Sequence, residues 1–175
     1  MTDHAELRTD RLTLRRPVPT DVTAVLDIHR DPAACAHNPS DALHTPAEAT
    51  HLLNRWQDHW HAYGFGYWVV RHHDDPTVLG FCGVKSTILD DHRALNLFYR
   101  FHPTTWGQGI ATETAHAVVT WAREHLPDLP IIARVRPANT ASQHVALNAG
   151  LSRTPHLDRN GEDGPDLLYT TSWPL

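Results

Sequence analysis

The sequence predicts an α+β fold in α/β/α-like layers, with six to seven strands in a mixed, mostly antiparallel sheet covered by helices. Three observations carry this expectation. The β-rich runs at 65–70, 78–84 and 94–101 follow one another through short polar turns, which implies antiparallel pairing. The strand–helix–strand passage from 94 to 136 needs a crossover, and therefore parallel neighbours. Ahead of these strands, a long amphipathic stretch running to Trp60 supplies a covering helix.

The elements follow in order. Residues 11–16 alternate apolar and polar side chains before Pro17, as a short opening strand does. Thr20 or Asp21 is placed to cap a helix carrying Val22, Val25 and Leu26. Thr45-Pro46-Ala47-Glu48 combines an N-cap, a proline at the first helical position and a capping-box acid, and Ala49, Leu52, Leu53, Trp56 and Trp60 continue at helical spacing. His72-His73-Asp74-Asp75-Pro76 has the composition of a hairpin loop. In the run 94–101, Leu95, Leu97, Tyr99 and Phe101 share one face, and Asn96, Phe98 and Arg100 share the other. Ala111, Ala115, Val118 and Ala122 form a stripe that predicts a helix over 108–125. Residues 131–136 alternate as a strand, Asn139 starts a short helix that Gly150 ends, and 167–173 reads as the last strand.

With 175 residues and no linker-like composition break, the chain is expected to form a single domain over 1–175. Its formal charge of −5 disfavours a nucleic-acid partner, whose phosphates select a basic face. The polar start, residues 1–6, has no secretory pattern, and no run of apolar residues is long enough for a membrane span. Cys35 and Cys82 define no disulfide framework, so a cytoplasmic setting is expected, with both thiols buried or inert. Of the fifteen histidines, His59, His61, His72 and His73 are the densest group. Their spacing matches no metal-ligand pattern; no metal is expected, and they read as surface residues.

Trp106-Gly107-Gln108-Gly109-Ile110-Ala111 lies between a strand and a helix. Glycines there accept positive φ and let backbone approach a ligand, while the helix start offers unpaired N–H groups and a positive dipole end, a combination suited to a pyrophosphate. A steric need for glycine in a tight strand-to-helix turn explains the same residues equally well in isolation. The loop matches neither the GxxxxGK[ST] phosphate loop nor the three-glycine dinucleotide fingerprint.

At this loop the sequence resembles the GNAT acetyltransferase superfamily, whose coenzyme A motif is Q/R-x-x-G-x-G/A, with Trp106 standing where Gln or Arg is usual. It looks closest to the ribosomal-protein N-terminal (Rim-type) branch. Residues 7–15 follow "L-x-T-x-R-L-x-L-R", residues 106–113 follow "W-G-x-G-x-A-T-E", and Asn139, Ser142 and Gly150 match "N-x-x-S" before a glycine. The resemblance implies helices on both faces of the sheet and a splay between the strands near 94–101 and 130–136. It also implies an acetyl-CoA co-substrate, transfer to a primary amine in a ternary complex, and an acceptor that is either a peptide N-terminus or a small amine; a homodimer is compatible with it.

The resemblance further implies which residues hold the donor. Tyr99 and Phe101 offer backbone to the pantetheine arm, although alternation alone equally makes them core aromatics. Trp106, Gly107, Gln108, Gly109, Ile110, Ala111 and Thr112 form the pyrophosphate loop, with Asn139 and Ser142 facing the cofactor. Spacing alone favours Ser142 as a tolerant third residue in a helix capped by Asn139; the resemblance reverses this and makes it the implied donor to the departing thiolate. Asn148 stands where relatives carry a basic residue toward the ADP end. Asn96 occupies a position where many relatives carry a glutamate, and an amide accepts no proton near neutral pH. The general base is unassigned, His102, Asp90 and Asp91 being the weighed alternatives. Trp56, Trp60, Tyr63, Phe65 and Trp68 line the acceptor cleft or pack the core. The competing function is a coenzyme A-binding sensor or interaction module with weak or no catalysis.

Overall fold

Capping chemistry sets the longest helix of the computed structural model, which describes residues 5–174; residues 1–4, part of the polar start, and residue 175 lie outside the described residues. Thr45 Oγ1 accepts from the Glu48 N–H at 3.2 Å, and Glu48 Oε2 accepts from the Thr45 and His44 N–H groups at 2.9 and 2.7 Å. This is the reciprocal pair the sequence predicts. It starts α2 (Pro46–Tyr63), which ends at Gly64 in the left-handed region. The cap of α1 (Val22–Arg30) differs from expectation. Asp21 stands at the N-cap, but its carboxylate accepts from Arg15 at 2.7 and 2.8 Å and from the Val18 N–H at 2.7 Å, so no side chain caps the helix.

The remaining elements are β1 (Glu6–Arg8), β2 (Leu12–Arg15), β3 (Tyr67–His72), β4 (Gly80–Leu89), β5 (His92–Phe101), α3 (Ile110–His125), β6 (Ile131–Val135), α4 (Thr140–Asn148), β7 (Ser152–Arg153), β8 (Arg159–Gly161) and β9 (Gly164–Thr170). The strands run β1-β2-β3-β4-β5-β6-β9-β7, with β8 paired to β9. Nine strands among the described residues exceed the six to seven expected. The excess is β1, β7 and β8, each only two or three residues long and so too short to alternate visibly. The last strand also begins three residues earlier than predicted and stops at Thr170.

Every pair is antiparallel except β5 with β6. The β4–β5 hairpin is in register from Gly80↔Phe101 to Leu89↔His92 and turns at Asp90 and Asp91, both at positive φ. By contrast, β5 and β6 pair only at Leu95↔Ile131 and Asn96↔Ile132. Beyond that row they part, which is the splay the resemblance implies.

Alternation then sorts the two faces. Trp68, Cys82, Val84, Leu95 and Leu97 pack with Ile110, Ala115, Val118 and Trp121 of α3. Tyr67, Val69 and Phe81 pack with Val25 and Ile28 of α1 and with Leu53 and Trp56 of α2. Helices therefore cover both faces of the mixed sheet.

Two histidines are core members, only one of which, His59, carries an expectation from the sequence. His59, read as a surface residue, is buried: its Nδ1 donates to the Phe65 carbonyl at 2.8 Å and its Nε2 accepts from the Ser86 N–H at 3.1 Å, joining α2 to β4. His29 is 2% exposed, and its Nδ1 donates to the Val25 carbonyl at 2.8 Å. Burial, with the nearby Arg100 charge adding to it, lowers the His29 imidazole from 6.5 to about 4. The unfolded chain thus binds a proton that the folded chain refuses. Its stabilising share is complete above pH 6.5 and is lost as pH falls toward 4, by about 3 kcal/mol. Denaturant titrations across that window are expected to show the slope in the natural protein and a flatter profile in His29→Leu; equal slopes would remove His29 as the cause.

Candidate functional site

Where β5 and β6 part, a cleft of about 760 Å³ draws residues from both faces of the sheet. One wall is the loop entering α3. A short 3₁₀ turn, Pro103–Thr105, lifts the chain off β5, and Gly107 and Gly109 both adopt φ +75. A Cβ on Gly107 would meet nothing within 4 Å, so glycine is needed for conformation rather than for space. Gly109 is the N-cap of α3 and has no side chain with which to cap it. Among the described residues the N–H groups of the first turn therefore lack a capping side chain, and Ile110, Ala111 and Thr112 border the cleft at the positive end of a sixteen-residue helix.

The opposite wall is the start of α4. Asn139 Oδ1 accepts from the Ser142 N–H at 3.1 Å, so Asn139 is the cap and the Ser142 hydroxyl is left for other work. That hydroxyl lies 2.7 Å from Tyr99 Oη, which also donates to the Ser142 carbonyl at 2.9 Å. Burial pushes the Tyr99 phenol well above its usual range, so it stays protonated and remains a donor.

The N-terminal motif buttresses the same loop. Glu113 in the first turn of α3 accepts from Thr9 Oγ1 at 2.6 Å, the Arg11 N–H at 3.2 Å and Arg11 Nε at 2.6 Å. Burial alone would push the Glu113 carboxyl up, but these donors outweigh it and hold it below its usual range. Two motifs about a hundred residues apart in sequence thus meet at one carboxylate.

The model of the acetyltransferase (GNAT) domain matches residues 11–152. This chain belongs to the GNAT acetyltransferase family. It is 24% identical over 152 residues to the uncharacterised protein YkkB of Bacillus subtilis (strain 168), a match covering 86% of this chain and 87% of YkkB. The crystal structure of an acetyltransferase from Agrobacterium tumefaciens str. C58 is 26% identical, covers 96% of this chain and 94% of that chain, and superposes with a TM-score of 0.80. The ribosomal L7/L12 α-N-protein acetyltransferase RimL, in complex with coenzyme A, shares the fold at a TM-score of 0.74 and 17% identity, covering 93% and 94% of the two chains.

Within this GNAT fold, every residue expected to hold the donor borders the cleft except Gln108, whose Nε2 donates to the Thr104 carbonyl at 3.1 Å. The Phe101 carbonyl accepts from the Trp106 indole at 3.2 Å, which pins the half-exposed Trp106 over the end of β5. Asn148 lies outside the cleft, on a shallower hollow with Thr112, Glu113 and His116. None of the three weighed bases borders the cleft. Asp90 pairs with Arg159 at 2.9 Å in the hairpin turn, Asp91 completes that turn, and His102 caps the 3₁₀ turn by accepting from the Thr104 N–H at 3.3 Å. Among the described residues there is no group of three metal-ligating side chains. Cys35 and Cys82 are free and buried, and desolvation pushes the Cys82 thiol up to about 12. No helix is long and apolar enough to cross a membrane among the described residues.

The aromatics weighed for the acceptor cleft do not line it. Trp56, Trp60, Phe65 and Trp68 are buried in the two cores, and Tyr63 is exposed. The half of the cleft away from the α3 loop is built instead by Tyr67, Lys85, Asn96, Phe98 and Arg100 on one face of β3, β4 and β5, with Asp41 from the segment between α1 and α2. Arg100 Nη2 donates to Asp41 Oδ2 at 2.8 Å, and the Asn96 side chain engages the Tyr67 hydroxyl. Burial pushes that phenol well above its usual range. The alternation of Asn96, Phe98 and Arg100 signals this wall in the sequence; nothing comparable signals Asp41 or Tyr67.

Proposed function

We propose that this protein is an N-acetyltransferase that moves acetyl from acetyl-CoA to a primary amine, a peptide N-terminus or a small amine, by direct attack in a ternary complex. The observation that carries the reading is the continuity of one cleft. It joins the α3 loop, the Tyr99–Ser142 pair and the acceptor-facing wall, so donor and amine have room to meet without a covalent intermediate.

In this reading the first-turn N–H groups of α3 hold the pyrophosphate, and β5 beyond Asn96 receives the pantetheine arm where β6 has left it. The amine nitrogen adds to the thioester carbonyl and the carbon–sulfur bond then breaks. The Ser142 hydroxyl hydrogen-bonds the departing thiolate, while Tyr99 supplies a donor behind it. Asn96 cannot take the amine proton, so that proton leaves through water or through the acceptor's own equilibrium. Residues 1–175 act as one catalytic domain, and the two buried free thiols fit a reducing cytoplasm.

Asn96 also supports a second reading, a coenzyme A-binding module without turnover. Calorimetry with acetyl-CoA, paired with coenzyme A release over peptides with free N-termini and small amines, separates the two. Binding with turnover on at least one amine is expected. Binding without turnover on any amine would leave the binding module, and no binding would defeat both readings.

A further inference from the structure

The acceptor half of the cleft carries an unbalanced set of charges. Among the described residues its charged lining side chains are Lys85, Arg100 and Arg134 against a single carboxylate, Asp41, in a chain whose formal charge is −5. A positive chamber in an acidic protein selects for the opposite sign in its ligand.

The positions of these cations make the imbalance local. Lys85 is the only lysine in the sequence. It sits opposite Asn96 in the row where β5 last touches β6, and its ammonium lies 5.5 Å from the centre of the Tyr67 ring. Arg134 follows on β6, between Ala133 and Val135, which pack into the α3-side core; its side chain therefore leaves on the other face. Among the described residues neither Lys85 nor Arg134 has an ion-pair partner. Arg100 is paired but not satisfied. Its side chain is 8% exposed, Asp41 takes Nη2, and Nη1 is buried without a hydrogen-bond partner among the described residues. Buried donors left unmatched are uncommon and costly.

We infer that the acceptor is a primary amine bearing a carboxylate, held through Arg100, Lys85 and Arg134. This rests on reading the cleft as an acetyl-transfer site. A carboxylate is acceptor-only and takes two or more N–H donors, which is what a partly used guanidinium and an unpaired ammonium offer. Desolvation, with the Arg55 charge adding to it, lowers the Lys85 ammonium below its usual range, and a bound anion counters both by favouring the charged form. Polyamines and other polycations meet repulsion from the same three side chains.

The test is coenzyme A release by the full chain with acetyl-CoA and matched acceptors: a free amino acid and its carboxamide, two N-terminal peptides differing by an acidic or amide second residue, and a polyamine. The carboxylate member of a pair is expected to exceed its amide in kcat/KM by about tenfold or more, the gain of one charge-assisted contact. The pair that shows the gap tells a free amino acid from a peptide. Lys85→Gln with Arg134→Gln is expected to narrow the ratio several-fold; Arg100 is left in place because its side chain is buried and its removal would disturb the packing of the cleft wall. Equal efficiency for amide and carboxylate, or preference for the polyamine, overturns the inference. Failure of acetyl-CoA itself to bind, read by calorimetry on the same samples, instead defeats the underlying reading. Should no acceptor turn over, calorimetry on the acetyl-CoA-loaded protein gives the same comparison: tighter binding of the carboxylate supports the inference, and equal affinity overturns it.

Discussion

Gly109→Asp is expected to weaken acetyl-CoA binding by about a hundredfold to a thousandfold while leaving the fold in place. Gly109 stands at φ +75 at the start of α3, and a Cβ added there meets only Arg11 Nη2, at 3.5 Å. Aspartate is among the few residues that tolerate the left-handed region, so backbone strain is small. Its charge is the larger effect. A carboxylate about 4 Å from a bound pyrophosphate is repelled by about 4 kcal/mol at an effective dielectric of 20, before Arg11 offsets part of it. Gly109→Asn has nearly the same shape without the charge and is expected to retain most of the affinity. Calorimetry on the pair decides the matter. Equal losses for Asn and Asp would mean that the side chain blocks the loop sterically, and unchanged affinity for Asp would place the pyrophosphate elsewhere.

The loop was legible because its rule is local. Two glycines between a strand and a stripe of alanines announce a left-handed turn into a helix, and the structure places both at positive φ. The same holds for the Thr45–Glu48 box and for Asn139, whose partners lie three residues away. The wall proposed to face the acceptor has no such rule. Tyr67, Lys85 and Asn96 become neighbours only through the β3–β4 and β4–β5 registers, and Asp41 reaches Arg100 from a segment with no periodicity. The burial of His59, read as a surface residue, and of His29 has a related reason. Each lies one helical turn from apolar residues, His29 after Val25 and His59 beside Trp56 and Trp60, and position on the helix outweighs polarity once each ring nitrogen facing the core finds a backbone partner. Glu113 shows the converse. The N-terminal motif could be recognised in the sequence, but its purpose, fastening Thr9 and Arg11 to the first turn of α3, depends on a contact across about a hundred residues.

Ser142→Ala is expected to lower kcat by about a hundredfold with little change in acetyl-CoA affinity, because in the proposed reaction its hydroxyl meets the leaving sulfur only as charge develops there. Tyr99 makes the test sharper. Its single proton has two acceptors on Ser142, the carbonyl at 2.9 Å and Oγ at 2.7 Å. When it donates to the carbonyl, the Ser142 hydroxyl can donate back to the phenol; when it turns to Oγ, the serine proton is released toward the cleft. In the proposed reaction the phenol is a positioning group that works through Ser142 and not on the substrate. Tyr99→Phe keeps the ring in the core and is expected to cost about tenfold in kcat, the worth of one hydrogen bond to a group bearing developing charge. Because both side chains act through one proton path, the double variant should be no slower than Ser142→Ala alone. Losses that multiply would show two independent contributions, and a Ser142→Ala rate equal to that of the natural protein would return Ser142 to the first turn of α4 with no part in the chemistry.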